Sequence, residues 1–318
     1  MALRFTTLAS GSKGNCSVIG LGGKQLMIDI GLSGKSLKGR LGQVGLSIRE
    51  ISEVLLTHTH SDHVYDTALT VLAEHGVWFW CHGAHQEYLS RKPGFQALQS
   101  SGLVLNYEES PFQTISGLTV NPIALRHGAD KTFGFRVDHR LESPIKRARV
   151  AYFADIGCWD QATVDHFLDC NLIAMEFNHD VKMTLASNRH PYVIERNLSD
   201  DGHLSNDQAA GLLEKLLGGS EGCKPENLVL LHISSQCNTK ELAIQAATRV
   251  LMQSGLEYIR VVAADQAEAS GWMEVPYGVM GEENDVSTSQ SLPQARGRRH
   301  AGKKRQVSVF QQEFLFPV

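Results

Sequence analysis

The chain has 318 residues, of which 42% are hydrophobic and 20% charged, so it is long enough to bury the core of one large α/β domain or two small ones. A formal net charge of only −4 argues against a general binder of polyanions. The six cysteines show neither CxxC pairs nor a secreted-type disulfide framework, and no leader-like or membrane-spanning apolar run is found. We therefore expect a cytoplasmic protein with reduced thiols that does not enter a membrane.

Short strands and glycine-rich turns are predicted for the first thirty residues. Residues 4–8 alternate like a strand, residues 9–17 form a loop of small residues, and two further strands around residues 18–19 and 25–31 are joined by a Gly-Gly hairpin turn. The loop lacks the lysine pattern of a phosphate-binding P-loop, so its residues alone indicate a tight turn.

The stretch from residue 54 to residue 63 carries the clearest chemical signal. Its apolar first half predicts a buried strand, and His58, His60, Asp62 and His63 follow where that strand leaves the sheet. His58 and His60 are two positions apart, so at a strand end both imidazoles point to the same side. Imidazole and carboxylate ligands suit Zn²⁺ or Mn²⁺, and a cluster that can hold two ions is the usual basis of metal-assisted hydrolysis.

Four later strands end in a similar way. They stop at or next to an ionisable residue, in chain order His127, Asp155, Glu176 and His232. Together with the strand before the histidine-rich loop, five predicted strands share this feature. Independent coincidence does not explain such a pattern, which predicts that these side chains meet at one site.

Helices alternate with these strands. We predict them within residues 33–52 and over residues 65–75, 207–217 and 240–253, with further strands at 77–81, 132–137, 149–154 and 258–263. Ser205 or Asn206 is a suitable N-cap of the third helix. His75, His82 and His85 lie near a strand without other metal ligands, so we leave them out of the ligand set.

These features resemble a known family. The run from His58 to His63 resembles the HxHxDH signature of the metallo-β-lactamase superfamily, and residues 9–16 (ASGSKGNC) are similar to the opening of its YycJ/WalJ branch of double-stranded DNA exonucleases. The resemblance implies an α/β fold, a four-layer αββα sandwich, with residues 1–280 as the catalytic domain. It also implies that Asp29 orients the histidine-bearing loop rather than binding metal.

By the same resemblance, the strand-end residues divide into two sites for divalent ions, Zn²⁺ or Mn²⁺. His58, His60 and His127 hold the first ion, Asp62, His63 and His232 hold the second, and Asp155 bridges the two. Asp62 also orients the attacking hydroxide. Because the β-lactamase enzymes of the superfamily usually have a thiolate where this chain has Asp155, the carboxylate implies a phosphodiester substrate.

A leaving sugar oxygen needs a proton, and Glu176 together with His203 can supply it. A carboxylate beside an imidazole favours the imidazolium near neutral pH, and the pair resembles the general acid of tRNA-maturing ribonucleases of the same fold. A structural bond at the start of a helix is the alternative role for His203. His179 also matches a short sequence motif of the family, but no role is assigned to it. Residues 232–238 keep only part of the family's HLSxENN pattern, which leaves the substrate contacts open.

Other members of the fold fit less well. A diiron flavoprotein would carry a glutamate inside the histidine motif, where Thr59 and Ser61 stand, and a β-CASP nuclease needs an insert for which the span from Asp155 to His232 has no room. A glyoxalase II-type hydrolase has no need of the general acid. The resemblance therefore implies a 5′-to-3′ exonuclease of duplex DNA with a role in repair. An RNA-processing nuclease, a small-molecule thioester or lactone hydrolase and a metal-bound regulatory scaffold stay open as alternatives.

The last part of the chain differs in composition. Residues 281–318 are rich in Ser, Gln, Gly and Arg, and six basic residues fall within 295–305, which predicts a disordered tail. This tail is either a solvated linker or a segment attracted to the phosphate backbone of DNA. Its apolar end predicts a docking peptide, since Gln312–Phe316 is similar to the QxxLF motif by which bacterial repair enzymes bind the DNA sliding clamp. Packing of this end on its own domain is the alternative.

Overall fold

Two β-sheets form the centre of the molecule. The computed structural model describes residues 2–128, 131–141 and 146–279, so the predicted tail at 281–318 lies outside the described residues. The strands of the first sheet are β1 (Leu3–Ala9), β2 (Cys16–Leu21), β3 (Lys24–Ile28), β4 (Ile51–Leu55), β5 (Trp78–His82), β6 (Val104–Tyr107) and, from the far end of the described chain, β14 (Met273–Val275). Their spatial order is β14-β1-β2-β3-β4-β5-β6.

The second sheet is built from the later half of the chain. Its strands are β7 (Phe112–Gln113), β8 (Thr119–Leu125), β9 (Thr132–Arg140), β10 (Lys146–Phe153), β11 (Leu172–Glu176), β12 (Asn227–Leu231) and β13 (Arg260–Ala263), and β15 (Gly278–Val279) pairs with β10. The spatial order is β13-β12-β11-β10-β9-β8-β7. The pairs from β10 to β13 are parallel, whereas β7 to β10 are antiparallel.

Helices connect the strands of both sheets. They are α1 (Gly34–Gln43), α2 (Asp66–His75), α3 (Gln86–Leu89), α4 (Pro93–Ser100), α5 (Gln161–His166), α6 (Val181–Leu185), α7 (Pro191–Leu198), α8 (Asn206–Gly219) and α9 (Lys240–Gln253), with 3₁₀ turns at Ile48–Glu50 and Gly83–His85. Within the described part of the chain, every helix is too short or too polar to cross a membrane.

Three apolar clusters separate four layers. The central cluster lies between the sheets and includes Phe5 and Trp80 from one sheet and Phe135 and Val229 from the other. A second cluster packs the outer face of the first sheet against α1, α2 and α4, and a third packs the outer face of the second sheet against α5, α8 and α9. Strands buried on both faces have almost continuous apolar sequences, as the sequence shows here. The predicted αββα sandwich is confirmed.

Local sequence explains where two helices begin and end. The helix predicted within residues 33–52 stops at Gln43, because Gly45 takes a left-handed conformation (φ +73°) that favours glycine and interrupts the helical path. Ser205 caps α8 as predicted, since its hydroxyl accepts a hydrogen bond from the backbone N–H of Gln208.

The direction of the strands places the predicted site. In the first sheet β3 and β4 run parallel, and in the second sheet β8, β10, β11 and β12 all point the same way. Ligands of open α/β sheets bind outside the carboxyl ends of such strands. The residues of the predicted site lie at or directly after these carboxyl ends: Asp29, residues 57–63, His127, Asp155, Glu176 and His232.

Candidate metal centre

The loop after β4 and the end of β8 supply a group of three imidazoles. One ring nitrogen from each of His58, His60 and His127 lies within 4.8 Å of the others. His58 is completely buried, and its Nε2 is 2.9 Å from Nδ1 of His60. Burial, together with the neighbouring His63, lowers the pKa of His58 well below its usual range, which favours the neutral ring that can donate a lone pair to a metal.

A second group brings the two sheets together. Ligand atoms of Asp62, His63 and His232 also lie within 4.8 Å of one another. Asp155 stands between the two groups: its Oδ2 is 2.6 Å from Nε2 of His63 and 3.5 Å from Nε2 of His58, and its Oδ1 is 2.6 Å from Nδ1 of His232. The structure therefore brings together all seven residues predicted as metal ligands, with Asp155 in the central position.

The donor set fits divalent metal ions. Imidazole nitrogens and carboxylate oxygens are suitable ligands for Zn²⁺ and Mn²⁺. Nε2 of His232 is buried without a hydrogen bond to any described residue, and an unsatisfied buried polar atom costs about 1–3 kcal/mol. Bound metal would give this atom a partner, so the cluster is suited to holding divalent ions.

Residues behind the loop fix its orientation. Asp29 is fully buried, and its carboxylate accepts hydrogen bonds from the backbone N–H of Thr57 at 2.8 Å and from Nδ1 of His63 at 2.7 Å. Such contacts fix the tautomer and the angle of a metal-binding imidazole. This is the orienting position that the sequence predicts for Asp29.

The small-residue loop before β2 reaches the same centre. The side-chain amide of Asn15 is 2.9 Å from Nε2 of His63, and Ser10 Oγ accepts a hydrogen bond from the backbone N–H of His232 at 2.8 Å. Sequence reasoning interpreted this loop as a tight turn and assigned no role to either side chain. The similarity of residues 9–16 to the family was the signal that could have identified them.

Glu176 lies under the centre and contacts two of its histidines. Its Oε1 accepts hydrogen bonds from Nδ1 of His203 at 2.8 Å and Nδ1 of His232 at 3.0 Å, and its Oε2 accepts one from the backbone N–H of Leu204 at 2.9 Å. Burial alone would lower the pKa of His203, but the carboxylates of Glu176 and Asp155 outweigh it and raise the pKa to about 9. The predicted pairing of Glu176 with His203 is thus present in the structure.

These side chains surround one cleft of about 280 Å³. It is lined by Ser12, His60, Ser61, Asp62, His127, Asp155, Arg196, Asn197, Gly202, His203 and His232. Arg196 and Asn197 belong to α7, a helix that the sequence did not predict. The cleft is therefore lined by five of the seven predicted ligands, together with groups that no sequence pattern marked.

Other histidines lie outside the centre. His179 is buried and lines a separate cavity, and its ring makes no hydrogen bond with a described residue. His82 pairs with Glu108, and His75 and His85 join none of the potential metal-binding groups found among the described residues. Leaving these last three out of the ligand set agrees with the geometry.

Comparison with known proteins supports the assignment. A model of the β-lactamase superfamily domain matches residues 27–233. The chain is 30% identical over 267 residues to the exodeoxyribonuclease YycJ of Bacillus anthracis, covering 80% of this chain and 91% of the relative. It is 26% identical over 264 residues to the exodeoxyribonuclease WalJ of Streptococcus pneumoniae serotype 2 (strain D39), with the same coverage.

A solved structure shares the fold. The metallo-β-lactamase fold protein YhfI from Bacillus subtilis superposes with a TM-score of 0.62 at 16% identity, covering 86% of this chain and 100% of that one. The domain match, the relatives and the His/Asp cluster together show a metal-dependent hydrolase. The chain belongs to the metallo-β-lactamase superfamily and, within it, to the YycJ/WalJ family.

Proposed function

We propose that this hydrolase is a two-metal phosphodiesterase that removes nucleotides from the ends of duplex DNA, with 5′-to-3′ polarity and a role in DNA repair. The observation that carries the proposal is the position of Asp155, a carboxylate between two ligand groups in a cleft that is also lined by His203, the partner of Glu176. The choice of DNA is supported by two relatives that are both named exodeoxyribonucleases. Polarity and the repair role come from the family resemblance alone.

The residues would hold two ions, Zn²⁺ or Mn²⁺. His58, His60 and His127 would hold one and Asp62, His63 and His232 the other, and Asp155 stands between the two groups. When bound, such ions supply a hydroxide at neutral pH and neutralise phosphate and leaving-group oxygens. Asp62 is the partly accessible carboxylate of the cleft, so it can also accept a hydrogen bond from the attacking water and orient it.

His203 acts as the general acid. Its Nδ1 donates to Glu176, so the opposite nitrogen, Nε2, can give a proton to the leaving sugar oxygen. Glu176 has no access to solvent and makes four contacts with surrounding donors, so it holds the imidazole in one orientation. Proton transfer of this kind contributes roughly 10²–10⁴-fold to the rate.

The first experiment measures release of nucleotides from end-labelled linear duplex DNA by the Mn²⁺- or Zn²⁺-loaded protein. We expect Asp62→Ala to abolish release and His203→Ala to slow it at least about tenfold. His75→Ala, at an exposed histidine of α2, is the matched control, and covalently closed circular DNA is the control substrate.

Specific outcomes would contradict the proposal. A metal-loaded wild type that releases nothing from linear DNA but cleaves RNA would identify an RNA-processing enzyme. Hydrolysis of thioesters or lactones without competition by phosphorothioate DNA would identify a small-molecule hydrolase. Loss of cellular function on deletion of residues 282–318, but not with Asp62→Ala, would point to a regulatory scaffold.

The proposal extends to the organisation of the chain. Residues 1–280 form the catalytic domain, and residues 281–318 are a basic tail that lies outside the described residues. The end of this tail, Gln312–Phe316, binds the DNA sliding clamp, as its sequence motif supports. The cytoplasm is the proposed location, supported by six cysteines that are all unpaired. A clamp pull-down that is unaffected by Gln312→Ala combined with Phe316→Ala would rule out the clamp interaction.

A further inference from the structure

The segment between Glu176 and His203 includes a part with almost no core of its own. We call residues 181–199 the arm; it consists of α6, α7 and their linker, and all of its residues are described. Thr184 is the only one of them that is buried, and α7 buries none of its side chains. The next helix, α8, is amphipathic and buries seven of its 14 residues. The arm therefore contributes little to the packing of the fold.

Large apolar side chains of the arm face solvent. Tyr192 is 68% exposed and Leu185 62% exposed, and Val181 and Val193 are also exposed. These four are among nine such side chains in the described residues, so exposed apolar surface is concentrated in this short segment. Single exposed apolar residues need no explanation, but a concentration of them marks a binding surface.

The arm is also basic, unlike the chain as a whole. It carries Lys182, Arg189 and Arg196 against one acidic residue, Glu195, whereas the full chain has a net charge of −4. Arg189 is held by a hydrogen bond from its Nε to Gln236 at 3.0 Å. The side chain of Arg196 makes no hydrogen bond or ion pair with any described residue, so its guanidinium is available to an anionic ligand.

The arm continues directly into the metal centre. Arg196 lines the cleft beside Asp62 and His203. Tyr192 and Arg196 are four positions apart on α7, so both side chains lie on one face of that helix, with Cβ atoms about 5–6 Å apart. An aromatic ring and a free arginine at this spacing can contact a base and a phosphate of one strand.

We propose that the arm binds the nucleic-acid strand that leads into the cleft, with Tyr192 stacking on an unpaired base at the opened end of the duplex and Arg196 contacting a backbone phosphate. This inference rests on the proposed nuclease function and names how that site holds its substrate. Stacking on an aromatic ring tolerates any base, and an arginine–phosphate contact carries no sequence information, so the arm gives affinity without sequence preference.

The test compares Tyr192→Ala and Arg196→Gln with two control variants. Tyr258→Ala removes an equally exposed tyrosine (65%), and Arg260→Gln changes an exposed arginine at the amino end of β13, which is the edge opposite the centre. For each Mn²⁺-loaded variant, duplex binding is measured by fluorescence anisotropy and turnover by nucleotide release. Bis(p-nitrophenyl) phosphate is too small to reach Tyr192 from the centre, so its hydrolysis shows whether Tyr192→Ala leaves the centre intact.

We expect Tyr192→Ala to weaken duplex binding and raise KM about tenfold, with kcat within about twofold of wild type. Arg196→Gln should raise KM several-fold and reduce the slope of log affinity against log salt by about 1, because one phosphate contact is lost. Hydrolysis of the small diester should be unchanged in Tyr192→Ala, and the two control variants should behave like wild type.

Binding and turnover are separate measurements, so the two proposals can fail separately. A wild type that degrades DNA while Tyr192→Ala and Arg196→Gln bind it equally well would contradict the arm only. A wild type that binds DNA through the arm and releases no nucleotide would contradict the nuclease function only, and one that does neither would contradict both. A change in sedimentation of Tyr192→Ala with unchanged DNA affinity would identify the arm as an interface between copies, which also overturns the inference.

Discussion

Glu53 and Glu176 are both completely buried glutamates, but they interact with different kinds of partner. Glu53, in β4, accepts hydrogen bonds from Trp80 Nε1 at 2.7 Å, from the backbone N–H groups of Ile115 and Ser116 at 2.9 and 2.7 Å, and from the Ser116 hydroxyl. All of these donors are neutral. Because residues 114–118 form the turn between β7 and β8, the carboxylate of Glu53 ties the second sheet to the first.

Glu176 instead faces two ionisable rings. Its carboxylate contacts Nδ1 of both His203 and His232, and His203 opens into the cleft. Indole, amide and hydroxyl donors do not exchange a proton with their acceptor near neutral pH, whereas imidazoles can gain, lose or deliver one. A buried carboxylate is therefore no sign of function by itself. The chemical type of its partners separates the structural site around Glu53 from the proposed catalytic site around Glu176.

Among the variants of the buried carboxylates Glu53, Asp29 and Glu176, Glu176→Gln should have the largest effect, and that effect is on turnover. Without the carboxylate, His203 loses the charge that favours its protonated form, so we expect kcat for nucleotide release from DNA to fall about 100-fold or more. The p-nitrophenyl ester of thymidine 5′-monophosphate has a leaving group that needs no proton, so its hydrolysis should fall much less. Both rates are measured at matched metal content.

Glu214→Gln, at an exposed position of α8, is the control for this prediction. If Glu176→Gln slows both substrates equally, Glu176 acts by holding His232 rather than through the general acid. Glu176 would then differ from Glu53 because it supports metal binding, and not because it supports proton transfer.

Glu53→Gln should affect stability and not chemistry. The amide presents an NH₂ group to neighbours that are themselves donors, so we expect the free energy of unfolding to fall by about 2–3 kcal/mol. The midpoint of urea unfolding should drop accordingly, while kcat of the folded fraction stays within about twofold. Glu87→Gln, with a side chain that is 87% exposed, should change neither quantity. If Glu53→Gln lowers kcat but leaves the free energy of unfolding unchanged, the role of Glu53 is not structural.

Asp29→Asn tests a carboxylate that combines both kinds of partner. Asp29 accepts from Thr57, a neutral donor, and from His63, a predicted metal ligand. Mutation of a residue that orients a metal-binding histidine typically lowers metal affinity about 10–100-fold, so we expect Asp29→Asn to weaken metal binding by that factor. Competition with a chromophoric chelator measures it, with Asp165→Asn as the exposed control. Unchanged metal affinity would place Asp29 with Glu53, as a residue that only supports the fold.

The sequence could predict the ligand positions because their signal is local. Each strand is a short apolar run, and a histidine or carboxylate directly after such a run lies at the end of a sheet. Asp155 and His232, for example, follow β10 and β12, and the shared direction of these strands makes their ends coincide. The order of the motifs then identified the family and its sandwich.

The sequence could not predict sites whose partners are distant or irregular. Glu53 lies among apolar residues of β4, and its partner Ile115 is 62 positions away. Arg196 reaches the cleft from α7, a helix of eight residues that buries none of its side chains, so contacts with the core do not specify its position. Asn15 and Ser10 lie on a loop whose path depends on contacts with the rest of the fold.

The smallest expected effect extends the comparison to histidines. His203 lies beside carboxylates, whereas His166 at the end of α5 donates through Nε2 to the backbone oxygen of Asn121 at 3.0 Å. Burial lowers the pKa of His166 to about 4. Below the ordinary pKa of about 6.5, the unfolded chain takes up a proton that the folded protein does not bind, so stability falls as the pH decreases from about 6.5 to 4.

His166→Gln removes this titration and keeps a donor for Asn121. Both proteins should lose stability between pH 8 and pH 5. The loss in free energy of unfolding should be smaller in the variant than in wild type, by on the order of 1–2 kcal/mol. Urea unfolding at both pH values measures the difference, and His75→Gln, at an exposed histidine, should leave the wild-type pH dependence in place. An equal pH dependence in wild type and His166→Gln would mean that His166 protonates as readily in the folded protein as in the unfolded chain. In that case, burial and a backbone acceptor, as at His166, would not be enough to distinguish a structural histidine from a proposed catalytic one such as His203.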